Sequence, residues 1–301
     1  MKASLLNYSF LISFLFSFSL QSAVAQGASG FDYEKKWKAV YELQKKRKPR
    51  SALEIVEKIY AEAQKTKNQP QMLKALEFSI RISMSYEEDF FQKGIARINE
   101  DMPFFSAPAT QVLHSLKADL YLGYYSRNRY MILDRTNLAE DPSEDISTWD
   151  QRTFAEVIFS EFRQSLEDPE ILQSTPAKDF SSIIKKQDSL SIFRPSLFDI
   201  LAHHALEFYM NDEFMASRPA LRFEIDDPQM LDLAESFVKL ELQEKEDFSM
   251  PYHALELFQE LIAFHLNDND PSALVDVDLM RLQYVYSNAV FPDREKILLH
   301  T

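Results

Sequence analysis

Glycine is nearly absent from this chain. Of 301 residues only four are glycine, and Gly27 and Gly30 sit near the N-terminus, which leaves Gly94 and Gly123 for the rest. A β-sandwich or barrel needs residues that accept positive φ in its tight hairpin turns, and two glycines cannot furnish them. The chain is therefore expected to be all-α.

Apolar periodicity agrees. Ala52, Leu53, Val56, Ile59, Tyr60 and Ala63 fall on one helical stripe, with Glu54, Glu57, Lys58 and Glu62 opposite. Prolines mark helix starts, because the first helical position needs no amide donor. Thr175-Pro176, Asp227-Pro228 and Asp270-Pro271 each pair a capping side chain with such a proline, and Ser147-Thr148-Trp149-Asp150 has the pattern of a capping box. The patterns predict helices near 31–47, 50–66, 70–85, 87–101, 108–130, 148–166, 176–187, 195–211, 228–243, 251–267 and 271–290, with Leu221–Ile225 a short extended piece.

One internal echo is visible. Ala254, Leu255, Phe258, Leu261, Ile262 and His265 repeat the spacing of Ala52 to Ala63, and Asn269-Asp270-Pro271 follows as Asn68-Gln69-Pro70 does. Each stretch leads into a second helix, so both read as helical hairpins. The copies lie about 200 residues apart, not at the roughly 34 of a tetratricopeptide array. The expected architecture is irregular stacked helical hairpins, tetratricopeptide-like in places.

Residues 1–25 carry one Lys, an apolar run from Leu5 to Leu20 and then Ala23-Val24-Ala25, the order of a secretory leader with its cleavage site. The run is shorter than the roughly 20 apolar residues that cross a bilayer. An exported chain from residue 26 onward is expected, periplasmic or in the envelope, with no membrane insertion after cleavage. With no Cys there is no lipidated Cys, no disulfide and no thiolate. The helical part, 26–301, is expected as one large domain or two lobes divided near the acidic stretch 134–146.

Acids number 47 against 33 Lys and Arg. Such a balance disfavours nucleic acid, whose binding draws on clustered cations. The one basic run, Lys45-Lys46-Arg47-Lys48 with Arg50, reads as a solvated turn between helices.

No catalytic signature stands out. His203 and His204 are neighbours, and on a helix they diverge by about 100°, so they cannot close on one ion; only Glu207 lies four residues from His203. His253 with Glu256 lacks a third ligand, and His265 falls on an apolar stripe as a hydrogen-bonded core histidine would. Glu87-Glu88-Asp89 is the kind of acidic run expected in so acidic a chain. Tyr121, Tyr124, Tyr125 and Tyr130, with Arg127 and Arg129, read as core plus a capped helix end, with a ligand platform as the alternative. No catalytic, metal or cofactor residue is assigned, and the expectation is not an enzyme.

Ser126-Arg127-Asn128-Arg129-Tyr130, Leu133-Asp134-Arg135-Thr136 and Asp145-Ile146-Ser147-Thr148-Trp149-Asp150 resemble the helical N-terminal region of large bacterial alpha-2-macroglobulin-like proteins. So do Arg194-Pro195-Ser196-Leu197-Phe198-Asp199, Leu201-Ala202-His203, Ala205-Leu206-Glu207-Phe208, Asn211-Asp212-Glu213, Arg218-Pro219-Ala220 with Phe223-Glu224, and Ala263-Phe264-His265-Leu266-Asn267-Asp268. The resemblance implies a secreted envelope protein whose helical head precedes β-sandwich macroglobulin domains and which inhibits or traps proteases, in some members through a Cys–Gln thioester. Without Cys, that chemistry cannot be carried to any residue here. Residues 293–301 look like the start of a further helix, so the chain is expected to be the head of a longer product whose partners are downstream macroglobulin-type domains, proteases or envelope proteins. The alternative is a free-standing helical module binding peptide, protein or glycan.

Overall fold

A computed structural model of the chain describes residues 30–135, 143, 145–180, 183, 192–214, 223–243, 249–292 and 294–295. Contacts divide the chain into Met1–Asp32 and Tyr33–Thr301. The leader lies outside the described residues, as do most of 134–146, residues 218–222 and most of 293–301.

Tyr33–Thr301 is all-α, without a strand among the described residues; an isolated antiparallel bridge joins Pro176 to Ser196. Its helices are α1 Tyr33–Lys45, α2 Pro49–Lys65, α3 Gln69–Ser83, α4 Phe90–Asp101, α5 Ala109–Leu133, α6 Gln151–Gln164, α7 Pro169–Ser174, α8 Leu197–Tyr209, α9 Ala234–Phe237, α10 Met250–His265 and α11 Ser272–Asn288. Consecutive helices pack as hairpins: α2 lies against α1 and α3, α5 against α4 and α6, and α10 against α11; α10 also lies against α8. No described helix is long and apolar enough to cross a membrane.

The echo is structural. Ala52, Val56, Ile59 and Ala63 on α2 are buried, as are Ala254, Phe258, Leu261 and His265 on α10. At the hairpin turns, the Asn68 side chain accepts from the Gln71 amide and Asp270 accepts from the Ser272 amide. Each side chain satisfies a donor that the helix start leaves without an intrahelical partner.

The helix α8 is the hub. Ten of its thirteen residues are buried, and it touches α5, α6, α7 and α10. A helix apolar around most of its circumference has little solvent face to offer, so α8 sits inside the stack with Glu207 its one exposed residue. Phe154, Phe162, Phe198 and Phe258 are among the largest fully buried side chains; each contributes roughly 2–3 kcal/mol by leaving water.

The scarcity of glycine has two local consequences. Helix ends usually close on a glycine in the left-handed region; here Arg47 (φ 54°) and Lys67 (φ 56°) do so instead. After α1 the Lys48 amide returns to the Leu43 carbonyl, and after α2 the Asn68 amide returns to that of Ala63. The two interior glycines serve close packing between α4 and α5: a Cβ on Gly123 would lie 2.6 Å from the Phe91 ring, and one on Gly94 would lie 3.1 Å from Leu120 Cδ1.

Four sequence expectations need correction. The helix over 228–243 is broken into a 3-10 turn, Pro228–Leu231, and the single-turn α9. Side chains of the neighbouring hairpin take the carbonyls that a continuous helix would use: Arg281 binds those of Met230 (2.7 Å) and Asp232 (3.0 Å), and Gln259 binds those of Phe237 (2.7 Å) and Leu240 (2.8 Å). Thr175-Pro176 starts no α-helix, because the backbone there pairs with the strand-like entry to α8; a 3-10 turn, Ala177–Phe180, follows. A short helix, α7, was not expected. The cap of α6 is Asp150, accepting from the Thr153 amide, while Asp145 caps the preceding 3-10 turn, so Ser147 is not the cap. Trp149 is buried nonetheless, stacked on Tyr121 at 5.4 Å with Nε1 donating to the Ser143 carbonyl at 2.7 Å.

Gly123→Ala should lower the melting temperature by the equivalent of about 1–3 kcal/mol, since the added methyl collides with the packed Phe91 ring. Gly94→Ala should be nearly neutral, because the flexible Leu120 end can yield and alanine is the better helix former by about 1 kcal/mol. Lys67→Gly should stabilise by about 1 kcal/mol through relief of left-handed strain. Thermal denaturation of the three variants checks all of these.

Candidate functional site

The histidines and carboxylates that could carry chemistry converge on the hub helix. Ser196 caps α8 in a reciprocal box: its Oγ accepts from the Asp199 amide, and the Asp199 carboxylate accepts from the Ser196 amide (2.9 Å) and from Ser196 Oγ (2.7 Å). Asp199 is fully buried. Its other oxygen meets His265 Nε2 at 2.6 Å, at the end of α10. His265 Nδ1 meets Asp268 at 2.7 Å.

Both ring nitrogens of His265 therefore face carboxylate oxygen, and only the imidazolium can donate at both. Burial opposes that charge, but hydrogen bonds and the charges of Asp199 and Asp268 outweigh it and hold the His265 pKa above its ordinary 6.5. The result is a buried ionic clamp between the start of α8 and the end of α10. Its serine is a cap bonded to a carboxylate, not a nucleophile beside a base.

One turn further along α8, His203 is also buried, with the opposite electrostatics. Its Nδ1 donates to the Asp199 carbonyl at 2.7 Å. That fixes the tautomer and leaves Nε2 bare, 3.7 Å from Asp276 on α11, with neither of the facing atoms hydrogen-bonded. Burial first, and then the charge of Arg194, push the His203 pKa below 6.5, against weaker opposing effects of Asp199 and Asp276.

His204 points elsewhere, as helical geometry requires. Its Nδ1 meets Ser115 Oγ at 2.9 Å and its Nε2 meets Asp119 at 2.9 Å, linking α8 to α5. The order serine, histidine, aspartate is that of a proton relay for acyl transfer. Ser115 lies buried mid-helix, however, where the surrounding amides are committed to the helix ladder and none is left for a developing oxyanion. Next to it Glu161 of α6 takes His114 (2.8 Å) and Lys117 (2.7 Å) of α5.

The remaining sequence candidates are scattered. Glu207 is exposed and apart from His203's free nitrogen. His253 bonds Glu256 at 3.2 Å and packs on Phe159, and this bond holds the Glu256 carboxyl below its usual range. Glu87 and Asp89 both hold Lys93, while Glu88 is exposed. Tyr121, Tyr124 and Tyr125 are buried core and Tyr130 is exposed. The polar network there is real: Glu213 accepts from Tyr125 (3.1 Å) and from Arg129, and Gln151 bridges Tyr125 to the Glu213 carbonyl. Burial, reinforced by Glu213, pushes the Tyr125 hydroxyl up to about 12. Arg127 lies 5.9 Å from the Phe90 ring. Among the described residues no group of three or more His, Asp and Glu is placed to hold a metal ion.

Sequence reasoning missed Asp199, Glu77 and Arg281. The Ser196-x-x-Asp199 spacing is a capping-box signal that could have found the first. Glu77 is pushed up to about 7 by burial, against the pull of Arg81 and Lys74. Arg281, fully buried, grips Asp278 and two carbonyls, those of Met230 and Asp232; these carbonyls are some 50 residues away, beyond any local pattern.

The two buried histidines make stability depend on pH in opposite senses. His265, with its raised pKa, contributes fully below 6.5 and loses its contribution as pH rises through the folded value. His203, with its lowered pKa, contributes fully above 6.5 and loses it as pH falls through the folded value. Their joint contribution peaks near pH 6.5. In urea titrations across pH, His265→Gln should flatten the alkaline side and His203→Gln the acid side. Asp199→Ala, which strands a buried imidazolium, should cost about 3–5 kcal/mol at pH 6.5.

No family model matches the chain, and neither a curated protein nor a solved structure matches it. The chemistry of the clamp rests on its own geometry.

Proposed function

We propose that the chain is the non-enzymatic helical head of an exported macroglobulin-like protein, a docking scaffold for downstream domains and envelope partners in a protein whose family role is protease inhibition. One observation carries this reading. Several residues on which the resemblance rests join elements of the fold: Ser196, Asp199, His265 and Asp268 in the clamp, His203 beside it, and Arg129, Glu213, Trp149 and Asp150 around the end of α5, while Tyr130 and Glu207 are exposed. Shared residues that hold helices together fit a scaffold, whose work is done by what docks on it.

The outer row of α11 favours a second reading, a free-standing interaction module. Val275 and Leu279, one turn apart, are 50% and 61% exposed, a use of apolar side chains that suits a protein contact.

Antibody against the chain should detect, in envelope fractions of the native cell, a product well above 35.1 kDa. A product at or below that mass would overturn the head reading and leave the module. The chain alone, added at equal molarity to a general protease, should leave hydrolysis of a protein substrate unchanged; stoichiometric inhibition by the chain alone would contradict a purely scaffolding role.

A further inference from the structure

Charge is segregated along this acidic chain. Residues 33–67, which form α1 and α2, hold eleven Lys and Arg against five acids, whereas residues 68–301 hold 21 against 41. The excess is densest at the α1–α2 turn, where Lys45, Lys46, Arg47, Lys48 and Arg50 are all exposed and no acid occurs between Glu42 and Glu54. Lys45 binds Glu42 at 3.0 Å. Lys46, Arg47, Lys48 and Arg50 have no ion-pair partner among the described residues.

Arg47 holds φ at 54°, a conformation that glycine adopts freely and a long side chain does not, as Lys67 does at the next turn. The chain thus keeps a cation at the turn where glycine would relieve backbone strain.

We propose that the α1–α2 tip docks peripherally on an anionic lipid bilayer surface. Exposed charges farther apart than about 10 Å are largely screened at physiological salt, and acids close to the tip are paired, Glu42 with Lys45 and Glu87, which borders a surface depression with Arg50, with Lys93. Lipid phosphates at the turn therefore meet Lys46, Arg47 and Lys48, exposed and without an ion-pair partner among the described residues. A lipid plane needs only these turn cations; a long nucleic acid would run on past them into acidic surface. No aromatic lies between Tyr41 and Tyr60, and the ring beside the turn, Tyr86, is half-buried against Arg50 at 5.6 Å rather than presented as a stacking platform. An acidic protein partner would need buried anchors, and Pro49 is the one apolar residue between Lys45 and Ser51.

Mature protein and the variant K46Q/R47G/K48Q/R50Q are sedimented with phosphatidylcholine vesicles, with and without about 30% phosphatidylglycerol, in about 50 mM and about 500 mM NaCl. The native protein should pellet with the anionic vesicles at low salt, release at high salt, and ignore the neutral ones. Each lost cation should weaken binding about fivefold, so the variant should bind at least about 100-fold more weakly. Its circular dichroism and melting temperature should match or exceed those of the native protein, because the replaced side chains are exposed and R47G relieves strain. Native protein that stays in the supernatant with anionic vesicles at low salt overturns the proposal. So does undiminished binding by the folded variant, or tighter binding to a single-stranded oligonucleotide than to the vesicles.

Discussion

A carboxylate with no access to water must find its hydrogen bonds inside the protein, and Asp199 finds them from three donors on two elements. That demand sets the start of α8, because the Ser196 cap forms against it. It also sets where α10 ends, because His265 must arrive with both nitrogens satisfied. The hub helix buries mostly apolar side chains against four neighbours, contacts that fix its rotation only weakly, and His204, bonded to Ser115 and Asp119, is its other polar anchor. A buried ionic pair adds little net stability, yet breaking one partner is expensive; its contribution here is register, fixing the angular setting of the helix on which the stack is assembled.

The parts legible in the sequence were those governed by local rules. Among the described residues periodicity placed nine of the eleven α-helices, and Asn68 and Asp270 marked hairpin turns because capping acts over three residues. The segment 228–243 defeated that logic. Its apolar spacing suits a helix, but Gln259 and Arg281 reach in from α10 and α11 and take its carbonyls. A contact between residues 20 to 50 positions apart outweighed a local preference of a few tenths of a kcal/mol per residue. Trp149 shows the mixed case: its burial was predictable and the true cap, Asp150, acts locally on the Thr153 amide, while its stacking partner Tyr121 was fixed by the tertiary fold.

The candidate site was half visible for a similar reason. Divergence of His203 from His204 follows from helix geometry, and the position of His265 on an apolar stripe foretold a bonded core histidine. The charge state of each ring did not follow, since it depends on which oxygen lies opposite each nitrogen. His265 meets two carboxylates, whereas His203 meets a backbone carbonyl on one side and a more distant carboxylate on the other. Net charge misled in a comparable way: a total of −14 describes the whole chain, whereas residues 43–53 hold five cations and no acid.

Gly123, pressed against Phe91, belongs to a body with almost no other glycine, and this bears on the unfolded chain as much as on the folded one. Glycine is the residue with most backbone freedom to lose on folding. A chain that omits it starts from a stiffer, less varied denatured ensemble and surrenders less disorder when its helices form. The same substitution therefore strains the folded state at Arg47 and Lys67 while narrowing the ensemble with which that state competes. Within this molecule, the scarcity that excludes β-turns also lowers the entropy against which the helices must hold.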